Sequence, residues 1–198
     1  MAPRTLGVLL FPEFELLDVF GPLEAFGHAK DWFRIVTVAE HAGPVTSAQG
    51  PRAMADHGLA DCPALDMLLV PGGMGTRREV GNPALVDWIA RQARSAETTT
   101  SVCTGAALLA KAGVLDGRRA TSNKRAFGWV AEQGPKVHWV RQARWVDDGT
   151  VVTSSGVSAG IDMALHLIGR IAGPAVRDEI ATRMEYEWHS DATADPFA

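Results

Sequence analysis

Short apolar runs alternate with longer amphipathic segments along the chain. Runs at "TLGVLLF" (Thr5–Phe11), "FRIVTVA" (Phe33–Ala39), "LDMLLV" and "TTTSV" (Thr98–Val102) are typical of strands buried in a sheet. Gly and Pro punctuate the segment between positions 43 and 59, which predicts short strands there. "RRAT" predicts another short strand, and Asp148-Gly149 predicts the turn of a hairpin in "ARWVDDGTVVTSS".

Segments with helical character separate these strands. They are "LLDVFGPLEAFGHA", "NPALVDWIARQARSAE", Gly105–Ala112, "KRAFGWVAEQG", "SAGIDMALHLIGRIAG" and Pro174–Tyr186. Asn82 as N-cap before Pro83 is a strong start signal, whereas Gly21-Pro22 is expected to break or kink the first helix. The alternation predicts an α/β domain with a mostly parallel sheet, in which sites form at the carboxyl ends of strands.

Composition narrows the class of protein. The 198 residues are 46% hydrophobic and 21% charged, with no internal repeat or linker, which predicts one globular domain over residues 1–198. A net charge of −4 gives no reason to expect nucleic acid or an anionic membrane as partner, and no apolar stretch approaches the ~20 residues of a membrane span. Cys62 and Cys103 make no disulfide framework, which favours a reducing cytoplasm.

Cys103 lies where a predicted buried strand turns into a helix. A helix N-terminus carries a partial positive charge, which stabilises a thiolate and can bring the thiol pKa below its free value of about 8.5. Thr104 and Gly105 begin the helix, so that their N–H groups could face an anion formed on a substrate. This is the arrangement of a nucleophile elbow with sulfur as the nucleophile. The alternative is that Cys103 is a small buried hydrophobic residue.

Three blocks resemble a known family. "PGGMG", "SVCTGAALLAKAGVLDGRRATS" and "SSGVSAGIDMALHL" are similar, in order and spacing, to the ThiJ/PfpI superfamily. The resemblance implies a class I glutamine-amidotransferase-like fold, which is a flavodoxin-like three-layer sandwich with helices on both faces of the sheet, and it favours the nucleophile interpretation of Cys103. "FPEFELLDVFGPLEAF" with "SVCTGA" resembles the isocyanide (isonitrile) hydratase branch, which implies that Asp18 lies against Cys103.

Asp18 has apolar neighbours on both sides, which predicts that its carboxyl is at least partly buried. Desolvation and a nearby thiolate both raise a carboxyl pKa, so Asp18 could carry a proton and deliver it to a substrate. The alternative is a helix-cap or exposed carboxylate. Glu24 is the second choice for this role, and Glu13 and Glu15 are weaker candidates.

The resemblance also assigns oxyanion- or substrate-binding positions. They are Gly72, Gly73, Thr104, Val157 and Ser158, with the last two at the back of the site. A dinucleotide-binding loop is disfavoured, because Arg78 stands where G-x-G-x-x-G requires its third glycine and Arg77 and Arg78 are expected to be solvated.

Asn123 and Lys124 stand where many members of the superfamily carry a histidine. This departure disfavours peptidase or amidotransferase chemistry, which requires a base. The six histidines show no zinc-ligand spacing, so neither a metal nor a cofactor is predicted. "MEYEW" could either close over the pocket or lie at a dimer contact.

The function expected from these features is a cofactor-free isocyanide hydratase with a small-molecule substrate. Resemblance alone suggests a homodimer. The alternatives are a non-catalytic thiol redox sensor or ligand-binding regulator, and a glyoxalase- or protease-like hydrolase. Some members carry a C-terminal helix-turn-helix domain; a chain ending at position 198 is expected to leave no room for one, which disfavours DNA binding.

Overall fold

A seven-stranded sheet forms the centre of the protein in the computed structural model, which describes residues 2–198. The strands are β1 (Arg4–Leu9), β2 (Phe33–Ala39), β3 (Gly43–Thr46), β4 (Arg52–Ala55), β5 (His57–Gly58), β6 (Met67–Val70), β7 (Thr98–Val102), β8 (Arg119–Ala120), β9 (His138–Trp139), β10 (Trp145–Asp147) and β11 (Val151–Ser154). The order in the central sheet is β10-β11-β7-β6-β1-β2-β5, and only β10 is antiparallel to its neighbour. Strands β3 and β4 form a separate hairpin, and β8 pairs with β9.

Helices cover both faces of the sheet. They are α1 (Leu16–His28), α2 (Thr76–Glu79), α3 (Pro83–Ser95), α4 (Gly105–Lys111), α5 (Phe127–Gln133), α6 (Ala159–Ala172) and α7 (Pro174–Arg183). Helices α1, α6 and α7 pack together as one layer, and α2, α3 and α5 pack around α4 as the other. The α/β class with a mostly parallel sheet between two helical layers is therefore confirmed.

A break or a kink is expected at Gly21-Pro22, and the break is wrong, because α1 runs through both residues as one helix. Both are buried against α6: a Cβ on Gly21 would lie 2.8 Å from Ile161, and a Cβ on Gly160 would lie 3.2 Å from Pro22. Packing against α6 stabilises this segment as a helix and outweighs the local cost of proline, as tertiary context often outweighs propensity.

Other differences concern the ends of elements. The first strand ends at Leu9 rather than Phe11, and the last helix ends at Arg183 rather than Tyr186. Helix α5 begins at Phe127, after a turn that precedes it. Helix α2 and strand β9 were not predicted, since four and two residues are too short to give a periodic pattern.

The central strands position the site. Val70 of β6 pairs with Ser101 of β7, and Ser154 of β11 pairs with Val102. Because these strands are parallel, the loops that follow them emerge at the same edge of the sheet. Cys103 is the first residue after β7, between the loops that follow β6 and β11.

Among residues 2–198, no helix combines the length and the apolar character that a membrane span requires.

A substitution at Gly105 tests how closely α4 approaches the loop after β6. A Cβ at this position would clash with the backbone carbonyl oxygens of Val70 and Pro71, which cannot move as a flexible side chain can. We expect Gly105→Ala to lower the free energy of unfolding by about 2 kcal/mol, the usual cost of forcing atoms into a packed region.

Gly128 in α5 is the matched control, because a Cβ there would meet no atom within 4 Å. Gly128→Ala should raise the free energy of unfolding by about 0.5–1 kcal/mol through helix propensity. Urea denaturation followed by circular dichroism measures both values, and equal effects of the two substitutions would contradict the packing argument.

Candidate active site

Cys103 occupies a tight turn between β7 and α4. Its φ of +56° lies in the left-handed region that residues other than glycine rarely adopt. Backbone contacts hold this conformation: the Cys103 N–H lies 3.2 and 3.3 Å from the carbonyl oxygens of Ser154 and Ser155, and the Ser122 hydroxyl donates to the Cys103 carbonyl at 2.7 Å. The residue is 6% exposed. A strained, over-determined turn that carries a thiol at the edge of a pocket is consistent with the expected nucleophile elbow.

Asp18 lies on the first turns of α1 and is fully buried, at 0% exposure. The Gly72 N–H donates to its Oδ2 at 2.8 Å. Its Oδ1 has no hydrogen-bond partner within residues 2–198, and the carboxyl lies close enough to Cys103 for its charge to raise the pKa of the thiol. The two groups that sequence reasoning paired are therefore neighbours in space.

Burial is the main cause that raises the pKa of Asp18 well above its ordinary value, and the negative charge of Glu15 raises it further. The Gly72 N–H acts in the opposite direction by hydrogen bonding to the carboxylate, and the Cys103 side chain also lowers the pKa of Asp18. The site therefore favours a protonated Asp18 more than water does.

The expectation of a lowered thiol pKa is wrong. Burial raises the pKa of Cys103 well above its ordinary value, and the charge of Asp18 adds to this. Hydrogen bonds from the Thr104 N–H and hydroxyl lower it, as does the helix N-terminus in principle, but desolvation of the sulfur is larger. Cys103 therefore rests as a thiol that must lose its proton when a substrate arrives.

The loop after β6 provides the second wall of the site. A Cβ on Gly72 would lie 2.6 Å from the Thr104 nitrogen and 2.8 Å from Asp18 Oδ2. The Gly73 N–H donates to the Thr104 hydroxyl at 3.0 Å, and the Thr76 hydroxyl donates to the Gly73 carbonyl at 2.7 Å. The N–H groups of Gly72 and Gly73 are thus engaged by Asp18 and Thr104, while the Thr104 N–H faces the sulfur; oxyanion binding by Gly73 stays a prediction.

A cleft of about 460 Å³ reaches the thiol. Glu15, Met74, Thr104, Asn123 and Val157 are among the residues that line it with Cys103. Val157 therefore lines the cleft that reaches the thiol, and its part in substrate binding stays a prediction. Ser158 lines a neighbouring cleft that shares Asn123 and Val157 with the first.

Asn123 is a site residue whose contribution sequence reasoning did not assign. Its Oδ1 accepts hydrogen bonds from the N–H groups of Arg125 and Ala126, each at 3.0 Å, which fixes the orientation of the amide. The Nδ2 and the thiol both face Gly156: a Cβ on Gly156 would lie 2.6 Å from Asn123 Nδ2 and 2.7 Å from Cys103 Sγ. Where a histidine would offer a base, this chain offers an N–H donor.

The second carboxylate near the thiol is Glu15 rather than Glu24. Glu15 lines the cleft and raises the pKa of both Asp18 and Cys103. Glu24 is exposed on the outer side of α1, 3.1 Å from His28, and Glu13 forms an exposed ion pair with Arg78. Glu24 follows Asp18 by six residues, about 1.7 turns at 3.6 residues per turn, which places its side chain on a different face of α1.

The C-terminal segment is held against the segment that carries Asn123 by an ion pair between Lys124 and Asp195. Lys124 is buried and donates to the Thr121 hydroxyl and to the Ser122 and Ala143 carbonyls at 2.9, 3.2 and 2.6 Å, and its Nζ lies 3.5 Å from Asp195. Burial lowers the pKa of Lys124 to about 8, although Asp195 opposes that shift. These contacts hold the segment that carries Asn123.

The "MEYEW" segment packs on α6. The Tyr186 hydroxyl donates to Asp162 Oδ1 at 3.0 Å, and the Trp188 ring N–H donates to the Asp162 carbonyl at 3.2 Å. Asp162 in turn accepts from Arg144 in a buried ion pair of 2.6 Å. This network joins the C-terminal segment to the strand hairpin and to α6.

A model of the DJ-1/PfpI family matches residues 4–170. The chain belongs to this family, which confirms the resemblance drawn from the motifs.

The relatives differ in function. The chain is 34% identical to an isonitrile hydratase from Pseudomonas putida, over 97% of this chain and 80% of that protein. It is 33% identical to the HTH-type transcriptional regulator CdhR from Pseudomonas aeruginosa, over 87% of this chain but only 52% of the regulator. A THiJ/PfpI family protein from Pseudomonas syringae has a similar structure, with a TM-score of 0.88 and 29% identity over 94% of this chain and 76% of that chain. The comparisons therefore establish the family and the fold rather than one activity.

Asp18→Asn should lower the pKa of Cys103. The substitution keeps the shape of the side chain and removes the charge that opposes thiolate formation. We expect the rate of Cys103 alkylation by iodoacetamide, followed by mass spectrometry against pH, to reach its midpoint at lower pH than in the wild type. Glu15→Gln should move the midpoint in the same direction but less, and Glu24→Gln should leave it in place. A midpoint that rises in Asp18→Asn would contradict the assigned contact.

Lys124→Met should lower the free energy of unfolding by about 3 kcal/mol, because it leaves the buried Asp195 with only Arg144, 4.0 Å away, as a cationic neighbour. The double variant Lys124→Met, Asp195→Asn should lose less than the single variant, since no uncompensated charge remains. Lys30→Met, at an exposed position, should change stability by less than about 0.5 kcal/mol. If the single and double variants lose the same free energy of unfolding, the Lys124–Asp195 ion pair does not hold the C-terminal segment in place.

Proposed function

We propose that this protein is a cofactor-free isonitrile hydratase that converts an isocyanide and water into an N-substituted formamide. The observation that supports it most is the buried proximity of Asp18 to Cys103, beside a cleft wide enough for a small molecule that reaches the thiol. Similarity to the Pseudomonas putida isonitrile hydratase over most of both chains adds to it.

The first step forms a thioimidate. The Cys103 sulfur attacks the terminal carbon of R–N≡C, the thiol proton passes to Asp18, and the proton of Asp18 is delivered to the same carbon. One S–C bond and one C–H bond form, one S–H bond breaks, and the product is R–N=CH–S–Cys103. No leaving group departs, so the step requires one thiol and one protonated carboxyl, and the pKa shifts of both groups favour those forms.

The second step releases the product. Water adds its oxygen to the thioimidate carbon while nitrogen receives a proton, and Asp18 accepts and returns protons as this occurs. The tetrahedral intermediate then expels the sulfur, which recovers its proton, and R–NH–CHO leaves. The Thr104 N–H and Asn123 Nδ2 lie on the side of the sulfur, where a donor stabilises the negative charge that develops there.

We further propose that the protein acts as a homodimer in the cytoplasm. Leu17 and Phe20 are exposed on α1 at 42% and 47%, which a second copy would cover. Cys62 and Cys103 are both free thiols, which suits a reducing compartment.

The thiol environment favours catalysis over sensing. A peroxide sensor requires an accessible thiolate, whereas Cys103 is buried and its pKa is raised. A hydrolase of the peptidase type requires a base at the thiol, and Asn123 presents an N–H donor instead.

The test is the loss of the N≡C infrared band when purified protein is incubated with an isocyanide. Cys103→Ala should abolish turnover, and Asp18→Asn should reduce it by about 10²–10⁴-fold, the usual contribution of a general acid–base group. Cys62→Ala is the control for nonspecific thiol addition and should retain the wild-type rate, since Cys62 lies outside the cleft. Equal rates in the wild type and Cys103→Ala would reject the proposal.

A further inference from the structure

The cleft beside the thiol is positively charged in an acidic protein. The chain has a net charge of −4, yet the neighbouring cleft of about 610 Å³ has Lys124, Arg125 and Arg141 among its lining residues and no carboxylate. Arg125 also lines the cleft that reaches Cys103, together with Arg77. Arg125 therefore stands where the two clefts meet.

The three arginines that line the two clefts form no ion pair within residues 2–198. Arg77, Arg125 and Arg141 have no carboxylate oxygen within 4.0 Å, whereas Lys124 is already paired with Asp195. The guanidinium groups at the clefts thus keep their N–H donors available for another anion.

Two of the arginines are held in position by aromatic rings. The Arg77 guanidinium carbon lies 4.6 Å from the centre of the Trp129 ring, and that of Arg141 lies 5.2 Å from the centre of the Phe127 ring. A cation over a ring face keeps its charge and its donors while its position is restricted. The rings therefore restrict the positions of the guanidinium groups without neutralising their charge, which is what an anion-binding position requires.

Glu15 is the one carboxylate that lines the thiol cleft. Its Oε1 accepts a hydrogen bond from Gln49 at 2.6 Å, on the side of α1. Asn123 and Arg125 belong instead to the segment before α5, so an anionic group on the substrate would lie toward Arg125, where the arginines attract it.

We propose that the substrate carries a carboxylate on the substituent of its isocyanide group, and that Arg125, with Arg77 and Arg141 on either side, binds this carboxylate. The inference rests on the proposed hydratase function for the isocyanide group that reacts. The preference for an anion is a property of the cleft and can be tested without that reaction. An uncharged substituent, which Leu17 and Phe197 in the same cleft could contact, is the competing outcome.

The first test compares iodoacetate with iodoacetamide as reagents for Cys103. The two have the same reactive carbon and nearly the same size and differ in charge. The ratio of their rates, measured by mass spectrometry and divided by the ratio for N-acetylcysteine amide, reports the attraction of the cleft for a carboxylate. We expect a normalised ratio above one in the wild type and a drop of about tenfold in the double variant Arg125→Gln, Arg141→Gln, which removes two charge-assisted contacts.

Arg52→Gln is the matched control, because Arg52 is exposed on β4 and lines neither cleft. It should leave the ratio unchanged. A wild-type ratio at or below one, or an equal drop in Arg52→Gln, would overturn the proposal, since the preference would then be absent or due to net charge alone.

A second measurement does not depend on thiol reactivity. N-formylglycine and N-formylglycinamide resemble the product with and without a carboxylate, and a ligand that binds the native state raises the melting temperature. At constant ionic strength, N-formylglycine should raise it more, and the double arginine variant should abolish the difference. Equal shifts in the wild type would overturn the proposal.

Turnover of isocyanoacetate and of methyl isocyanoacetate separates the two proposals. Faster turnover of the anion at low concentration supports both. Equal turnover of the two compounds rejects the carboxylate preference and keeps the hydratase function. No turnover of either compound, with anion-selective alkylation retained, rejects the hydratase function alone.

Discussion

The site depends on the close approach of three chain segments around Cys103. The loop after β6, the N-terminus of α4 and α1 meet without side chains at Gly72 and Gly105, where a Cβ would overlap Thr104 in one case and the Val70 and Pro71 carbonyls in the other. This contact brings the Gly72 N–H to Asp18 and brings Asp18 to the thiol. In the proposed reaction, both the proton held by Asp18 and the position of the Thr104 N–H require that spacing to be kept.

The groups around Cys103 oppose folding locally, and contacts in the surrounding segments stabilise the folded state. A carboxyl and a thiol are removed from water, and Cys103 is held at a positive φ, so both the electrostatics and the backbone are unfavourable at this point. The strands on either side of Cys103 are buried, and the ion pairs of Lys124 with Asp195 and of Arg144 with Asp162 join the surrounding segments. Active sites are commonly strained in this way because function requires groups that stability alone would not select.

Membership of the DJ-1/PfpI family accounts for the fold around Cys103 but leaves the chemistry of this residue open, since the relatives include an isonitrile hydratase and a transcriptional regulator. Function resides in the side chains placed on such a fold. In this chain three features stand out together: a neutral thiol and carboxyl in contact, an amide donor at Asn123 in place of a base, and unpaired arginines at the mouth of the cleft. The first two favour addition to an electrophile that has no leaving group, and the third bears on which substrate enters.

The sequence by itself determined the order of strands and helices, the position of Cys103 at a strand-to-helix junction and, through the resemblance, its pairing with Asp18. The elements follow from local patterns, and the pairing follows from the resemblance of separate motifs, each contiguous in sequence, to those of a family. Only the tertiary structure decided that Glu15 rather than Glu24 faces the site, that the Asn123 amide lies beside Cys103 at Gly156, that α1 continues through Pro22 and that the thiol pKa is raised rather than lowered. Each of these depends on burial and on contacts between segments distant along the chain, and desolvation energy is set by all the atoms around a group rather than by its neighbours in sequence.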